Sequence, residues 1–113
     1  MTPNEYQNLA MRTAPHKVLA NSTLCLENSA LGLCGESGEF ADIIKKGLFQ
    51  DHPMDTEHLA KELGDILWYI ALGAEALGWD LEDIMEMNIA KLTKRYPEGF
   101  DSDRSMYRVE GDI

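Results

Sequence analysis

The sequence has 113 residues, 44% of them hydrophobic, and a formal net charge of −10 from 20 acidic and 10 basic residues. A chain of this length holds a modest core, so we expect one domain over residues 1–113 that gains from oligomerisation. The negative charge opposes binding to nucleic acid or to an anionic membrane surface. No apolar run approaches the about 20 residues that cross a bilayer, and no signal peptide is visible, so we expect a soluble cytoplasmic protein.

Four helices are predicted from cap residues, apolar periodicity and stop signals, over about residues 3–13, 23–46, 56–77 and 81–96. The predicted N-caps are Thr2, Ser22 or Thr23, Asp55 or Thr56, and Asp80. The predicted stops are Pro15, Gly47, Gly78 and Pro97. Residues 14–22 and 47–55 are expected to be loops, and the tail over residues 97–113 has weak periodicity. The sequence therefore predicts an all-α, four-helix bundle with a helical core over about residues 3–96.

The two cysteines lie too far apart along one helix to form a disulfide, because Cys25 and Cys34 are nine residues apart, a rise of about 13 Å. We therefore expect two reduced, buried thiols. No spacing of cysteine and histidine residues typical of a zinc site is present.

The second and third predicted helices each carry a pair of acidic residues on the stripe that an amphipathic helix buries. Glu36 and Glu39 are about 60° apart around the helix, and Glu62 and Asp65 repeat this spacing. Buried carboxylates need a compensating partner, and too few basic residues lie nearby in sequence. Hard divalent cations take such oxygen ligands. We interpret the two pairs as a site for Mg²⁺, or Mn²⁺, between packed helices; in the alternative, the acids lie at a solvated edge.

The fourth predicted helix places Asn88, Lys91 and Arg95 on the same face as several apolar residues. The simpler interpretation is that the long basic side chains lie along the rim of the core. The functional interpretation gives them an anion to bind. A metal site opposite a row of cations and an amide would suit a polyphosphate.

These segments resemble the MazG-like, all-α nucleoside triphosphate pyrophosphohydrolases. The family signature is an EExxE segment followed, after a couple of dozen residues, by ExxD. The matching segments here are Gly35-Glu36-Ser37-Gly38-Glu39 and Glu62-Leu63-Gly64-Asp65, and the later segment over residues 88–97 is also similar. The chain departs from the signature at Gly35, which replaces the first Glu; since position 35 lies about 100° around the helix from Glu36, we expect the metal site to survive.

The resemblance implies a hydrolase that converts an NTP or dNTP substrate to the monophosphate and pyrophosphate. It assigns Glu36, Glu39, Glu62 and Asp65 to Mg²⁺ and catalysis. Further candidates for substrate binding are Asn88, Lys91, Arg95, Lys46 and, for stacking on a base, Tyr69. The alternatives are a phosphoribosyl-ATP pyrophosphohydrolase and a non-catalytic, metal-binding acidic helical module. We also expect a homodimer or homotetramer that completes the pocket.

Overall fold

The computed structural model describes all 113 residues and contains α-helices but no β-strand. The helices, in chain order, are α1 (Pro3–Met11), α2 (His16–Leu19), α3 (Ser22–Phe49), α4 (Thr56–Leu77), α5 (Leu81–Arg95) and α6 (Ser102–Met106). The predicted all-α class is confirmed, and the four long helices are those expected from the sequence. None of the six helices combines the length and the apolar composition that crossing a bilayer requires.

Several helix ends follow the predicted capping chemistry. The Thr2 hydroxyl accepts a hydrogen bond from the Glu5 backbone N–H (3.1 Å), and the Glu5 carboxylate accepts one from the Thr2 N–H (3.4 Å). The Asp55 carboxylate accepts a hydrogen bond from the Glu57 N–H at the start of α4 (3.0 Å). Gly78 ends α4 in the left-handed region, with φ of 71°, where glycine has no steric penalty.

The predicted bounds of α3 are wrong at both ends. Its N-cap is Asn21, whose side chain accepts a hydrogen bond from the Leu24 N–H (3.1 Å). The helix continues through Gly47 to Phe49, and the chain turns at Asp51, which has φ of 55°. Gly47 is not a stop signal, because the side chain of Met54 folds back onto the position that a Cβ atom would occupy.

Two short helices lie where the sequence predicts irregular structure. α2 follows Pro15 and buries Val18 in the core cluster, so packing stabilises a turn that local sequence does not predict. α6 begins after Asp101, whose carboxylate accepts hydrogen bonds from the N–H groups of Asp103 and Arg104. Both are single turns that depend on one contact or one cap.

The antiparallel pair α3–α4 forms the body of the molecule and allows the closest helix approach. The Ser29 hydroxyl donates a hydrogen bond to the Tyr69 carbonyl (2.9 Å) and would lie 2.6 Å from a Cβ atom at Gly73. The Tyr69 ring occupies the space where Gly32 lacks a side chain. Small residues at these crossings therefore set the distance between the two backbones.

α1 packs against α4 through one polar anchor and an apolar cluster. The Trp68 indole N–H donates to the Ala10 carbonyl (3.1 Å) and to the Thr13 hydroxyl (2.9 Å). The buried cluster beneath it contains Ala10, Met11, Ala14, Val18, Cys25, Ala71 and Leu72. Cys25 is buried as expected, whereas Cys34 is exposed, because it lies on the side of α3 that no other helix covers.

The start of α5 is capped by α1 and not by Asp80, whose side chain makes no cap hydrogen bond. The buried Gln7 side chain accepts from the Leu81 N–H (2.6 Å) and donates to the Trp79 carbonyl (3.1 Å). The Asn4 side chain accepts from the Glu82 N–H (3.0 Å). The direction in which α5 leaves the body is therefore determined by α1.

Gly32→Ala should destabilise the protein by about 1–3 kcal/mol, because the new methyl group overlaps the Tyr69 ring and forces the helices apart. Gly35→Ala is the matched control: no atom lies within 4 Å of its Cβ position, and alanine is the better helix former by up to about 1 kcal/mol. Urea unfolding monitored by circular dichroism measures both. Equal stability of the Gly32→Ala variant and the parent would contradict the close approach.

Candidate metal centre

Three carboxylates converge where α3 faces the first turns of α4. One oxygen atom from each of Glu36, Glu62 and Asp65 lies within 4.8 Å of the others. Glu36 comes one turn after the Gly32–Tyr69 contact, so the tight crossing of the helices brings the carboxylates together. The two helices thus meet at a concentrated negative charge.

Burial differs within this group. Glu62 is only 9% exposed and Glu36 is half-buried, whereas Glu39 and Asp65 are exposed. The expected burial is therefore wrong for Glu39 and Asp65, because a step of three residues turns the helix by about 60° away from the interface, although Asp65 still reaches the cluster. The inner member of each pair faces the partner helix, and the other lies at the edge.

Two of these oxygen atoms have no hydrogen-bond partner although they are buried: Oε2 of Glu36 and Oε2 of Glu62. A buried polar atom without a partner costs about 1–3 kcal/mol, and more when it is charged. The one basic group near them is the exposed His58 ring, whose Nε2 lies 3.3 Å from the other oxygen of Glu62. A divalent cation would supply a positive partner for both oxygens.

The pKa shifts around the cluster agree with a concentration of negative charge. Desolvation raises the pKa of Glu36, and the negative charges of Glu39, Asp65 and Glu62 raise it further. Tyr6 of α1 has a raised pKa because of burial and the charge of Asp65. Both shifts have the direction expected where acidic groups lie close together and are partly removed from water.

The donor set fits a hard divalent cation. All three clustered ligands are carboxylates, without cysteine sulfur or histidine nitrogen among them. Mg²⁺ and Mn²⁺ prefer oxygen donors of this kind, whereas Zn²⁺ sites are usually richer in nitrogen and sulfur. Glu36, Glu62 and Asp65 would hold such an ion, and Glu39 lies beside them.

The structure does not bring the predicted phosphate ligands of α5 to these acids. Asn88 and Lys91 are exposed, and no hydrogen bond or ion pair joins them to the cluster. Arg95 instead pairs with Asp112 of the tail, with Nη2–Oδ1 and Nε–Oδ2 distances of 2.6 and 2.7 Å. The acidic and the basic residues thus form separate centres within one chain.

The two weaker candidates also have partners within the chain. Lys46 lies 2.7 Å from Asp42 one turn earlier on α3, and both are partly exposed. Tyr69 packs on Gly32 and contacts Trp68 edge to face, with ring centroids 4.9 Å apart. Tyr69 therefore has a structural role in the helix crossing.

Sequence reasoning missed three residues near the charged centres: Tyr6, His58 and Asp112. His58 could have been found, since it precedes Glu62 by one helical turn. Tyr6 reaches Asp65 only through the packing of α1 on α4, and Asp112 follows a segment without periodicity.

An all-α fold with a carboxylate site between two antiparallel helices defines a class of helical, metal-binding proteins. The family model of the MazG nucleotide pyrophosphohydrolase domain matches residues 26–100, which include all four predicted acidic ligands. The chain belongs to this family, as the sequence resemblance indicated.

Two relatives are similar over much of their length. Gene 37 protein of Mycobacterium phage L5 is 35% identical over 86 residues, which cover 73% of this chain and 70% of the relative. A protein of Bacillus subtilis (strain 168) named Uncharacterized protein YvdC is 34% identical over 73 residues, covering 57% of this chain and 69% of the relative. No solved structure matches the chain significantly.

Gly35, where the chain departs from the family signature, lies on an open surface. Gly35 is exposed, and nothing lies within 4 Å of the position of a Cβ atom there. A side chain at this position would therefore begin in open space.

Glu36→Gln should raise the melting temperature of the metal-free protein by a few degrees at pH 7 and reduce its stabilisation by Mg²⁺. The folded state holds the Glu36 proton more tightly than the unfolded state, so this group lowers the free energy of unfolding as pH rises through its raised pKa. For the parent, Mg²⁺ at about 100 times its Kd adds about 2.7 kcal/mol.

Thermal melts in chelator and in Mg²⁺ measure both effects, with Glu27→Gln as the control on an exposed part of α3. A variant that melts below the parent in chelator, or that gains as much from Mg²⁺, would reject the metal centre.

Proposed function

We propose that the protein is a nucleoside triphosphate pyrophosphohydrolase that depends on Mg²⁺ or Mn²⁺ and converts an NTP or dNTP to the monophosphate and pyrophosphate. The observation that supports this most directly is the pair of buried, partnerless oxygens of Glu36 and Glu62. They lie inside the segment that matches the nucleotide pyrophosphohydrolase family. We also propose a role in clearing unwanted nucleotides from the pool.

Glu36, Glu62 and Asp65 hold the ion in this proposal. When bound there, a divalent cation neutralises charge on the phosphate chain and orients it for attack. Holding the ion also relieves the mutual repulsion that raises the pKa of Glu36. The same three carboxylates therefore make binding of a polyanion dependent on the metal.

Glu39 is the proposed general base. It is exposed, it makes no hydrogen bond or ion pair with another side chain, and its charge acts on Glu36. A carboxylate in this position can accept the proton of an attacking water while its neighbours remain engaged with the ion. Its Oε atoms are the free acceptors beside the cluster.

The phosphate chain and base need further contacts, which we assign to Lys91 and Arg95 for phosphate and to Asn88 for phosphate or sugar. Lys46 is a weaker candidate, because Asp42 already neutralises it. Tyr69 could contact a base only at the edge of its ring, since it packs on Gly32.

We also propose that two copies associate and complete this pocket. Only 12 of the 113 residues are buried, and the radius of gyration is 17.1 Å, compared with about 13 Å for a compact domain of about 100 residues. An apolar groove of about 310 Å³ runs between α3, α4 and the start of α5, lined mainly by Leu26, Leu33, Ile70, Leu77 and Ile84. Because the core of one chain is small, we propose that this groove packs against the same groove of a second copy and buries its apolar surface there.

Glu39→Gln should lower turnover of the best nucleotide at least about 100-fold, because the amide cannot accept the proton. A panel of NTPs and dNTPs is incubated with Mg²⁺, and pyrophosphate and orthophosphate are measured separately. Glu57→Gln is the matched control, since it makes the same charge change on an exposed site of α4, where Glu57 pairs with Lys61.

Pyrophosphate from the parent and the control, but not from Glu39→Gln, is the expected result. Orthophosphate release, or equal turnover by Glu39→Gln, would reject the mechanism. Turnover of phosphoribosyl-ATP alone would reject the proposed substrate and support the related enzyme. Metal-dependent melting without any turnover would indicate a non-catalytic metal-binding module.

Ile70→Asp should convert the proposed oligomer to monomer, because a buried carboxylate in the groove lacks a partner. Sedimentation equilibrium at micromolar concentration measures the mass, and circular dichroism checks that the helices persist. Met106→Asp, at an exposed apolar residue of α6, is the control. A parent that is monomeric at this concentration would refute the association.

A further inference from the structure

A second charged centre lies at the far end of α5, away from the carboxylate cluster. A cavity of about 450 Å³ opens between the last turns of α5 and the tail. Lys91, Lys94 and Arg95 line it from the helix, and residues 109–113 line it from the tail. Three cations from α5 thus face one concave space, and the tail adds the carboxylates of Glu110 and Asp112 to its lining.

The tail supplies the anion that Arg95 contacts. Arg95 presents two N–H groups to the two oxygens of Asp112, at 2.7 and 2.6 Å, and the two side chains are only 10% and 11% exposed. A fork of this kind is the arrangement in which arginine binds a phosphate group as well as a carboxylate. Lys91 and Arg108 lie close enough to lower the pKa of Asp112 further.

The ion pair is also the only hydrogen-bonded connection between the tail beyond residue 100 and the rest of the protein. The other hydrogen bonds of residues 101–113 stay within that segment. Its large apolar side chains are all exposed: Met106, Tyr107, Val109 and Ile113. Since the large apolar side chains of the tail are all exposed, the ion pair with Arg95 is the main contact that keeps Asp112 in place.

We propose that the cavity between α5 and the tail is a binding site for a polyphosphate anion, and that Asp112 is an internal competitor that occupies it until the ligand displaces the tail. A pyrophosphate or triphosphate carries more negative charge than one carboxylate and can engage Lys91 and Lys94 together with Arg95. The proposal rests on the proposed function only for the view that this anion is the phosphate chain of the substrate.

Asp112→Asn should bind inorganic triphosphate about 10-fold more tightly than the parent, because the ligand no longer has to break the ion pair between Arg95 and Asp112 before it binds. Calorimetry is done in chelator, so that a metal at Glu36 and Glu62 cannot contribute. Asp103→Asn is the matched control, since it removes a carboxylate from the same tail without touching Arg95. Arg95→Gln should abolish most of the binding.

A second measurement follows the tail itself by amide hydrogen exchange of residues 109–113. Exchange should accelerate in Asp112→Asn and in the parent with triphosphate. Unchanged or weaker binding by Asp112→Asn, or slower exchange with triphosphate, would overturn the proposal; it would mean that Asp112 positions Arg95 or that the tail closes over the ligand.

Repeating the titration with dATP in chelator distinguishes the source of the phosphate. Stronger binding of dATP than of triphosphate, with the same gain in Asp112→Asn, would indicate a nucleotide. Equal binding would indicate that the phosphate chain alone is recognised, and either result supports the site. These tests need no turnover, so an inactive protein that shows the 10-fold gain would reject the proposed function and leave the anion site intact.

Discussion

The structure depends on the burial of carboxylate oxygens between α3 and α4. Glu36 and Glu62 each place one oxygen out of contact with solvent and with any donor. An apolar pair at these positions would be the cheaper way to join two helices. Folding brings these carboxylates together, and desolvation with the neighbouring negative charges raises the pKa of Glu36. In the proposed function a bound cation would offset this repulsion, so binding and local stability would be linked at this point.

The residues that make the burial possible lie one and two turns away. Gly32 admits the ring of Tyr69, and Gly73 admits the hydroxyl of Ser29, so the two backbones approach closely before they reach the acids. Glycine weakens an isolated helix by up to about 1 kcal/mol relative to alanine. The close approach recovers this through packing and through the hydrogen bond from Ser29 to the Tyr69 carbonyl. The carboxylate cluster is therefore a consequence of small residues outside it.

The sequence predicted the parts of the fold that depend on local chemistry. The cap at Thr2, the cap at Asp55 and the glycine stop at Gly78 act within one turn, so they could be placed in advance. The all-α class and the family followed from helical periodicity and from the two acidic segments. Helical periodicity also predicted that acids from the two helices lie close together, as Glu36, Glu62 and Asp65 do. Spacing alone did not predict which of the acids are buried and which are exposed.

Errors arose where a distant part of the chain takes over a local role. Gly47 has the composition of a helix stop, but Met54 packs on it and α3 continues. Asp80 has the composition of a cap, but Gln7 reaches the Leu81 N–H first. Asp112 lies in a segment without periodicity, so its pairing with Arg95 is visible only in three dimensions. Each error has the same physical origin, since tertiary contacts satisfy a group that local sequence leaves open.

The carboxylate cluster and the basic residues of α5 lie apart, and this separation affects how each could bind a ligand. If Arg95 lay beside Glu36 and Glu62, it would supply the donors that their buried oxygens lack. A metal ion would then not be needed to balance the charge of these oxygens. The ion pair with Asp112 keeps the Arg95 guanidinium in a defined rotamer and away from Glu36 and Glu62. In the proposed function, a polyphosphate carrying a divalent ion would offer negative oxygens to the basic residues and a metal to the carboxylates. With a net charge of −10, the protein would repel such a ligand at long range, so the proposed recognition would depend on short-range contacts.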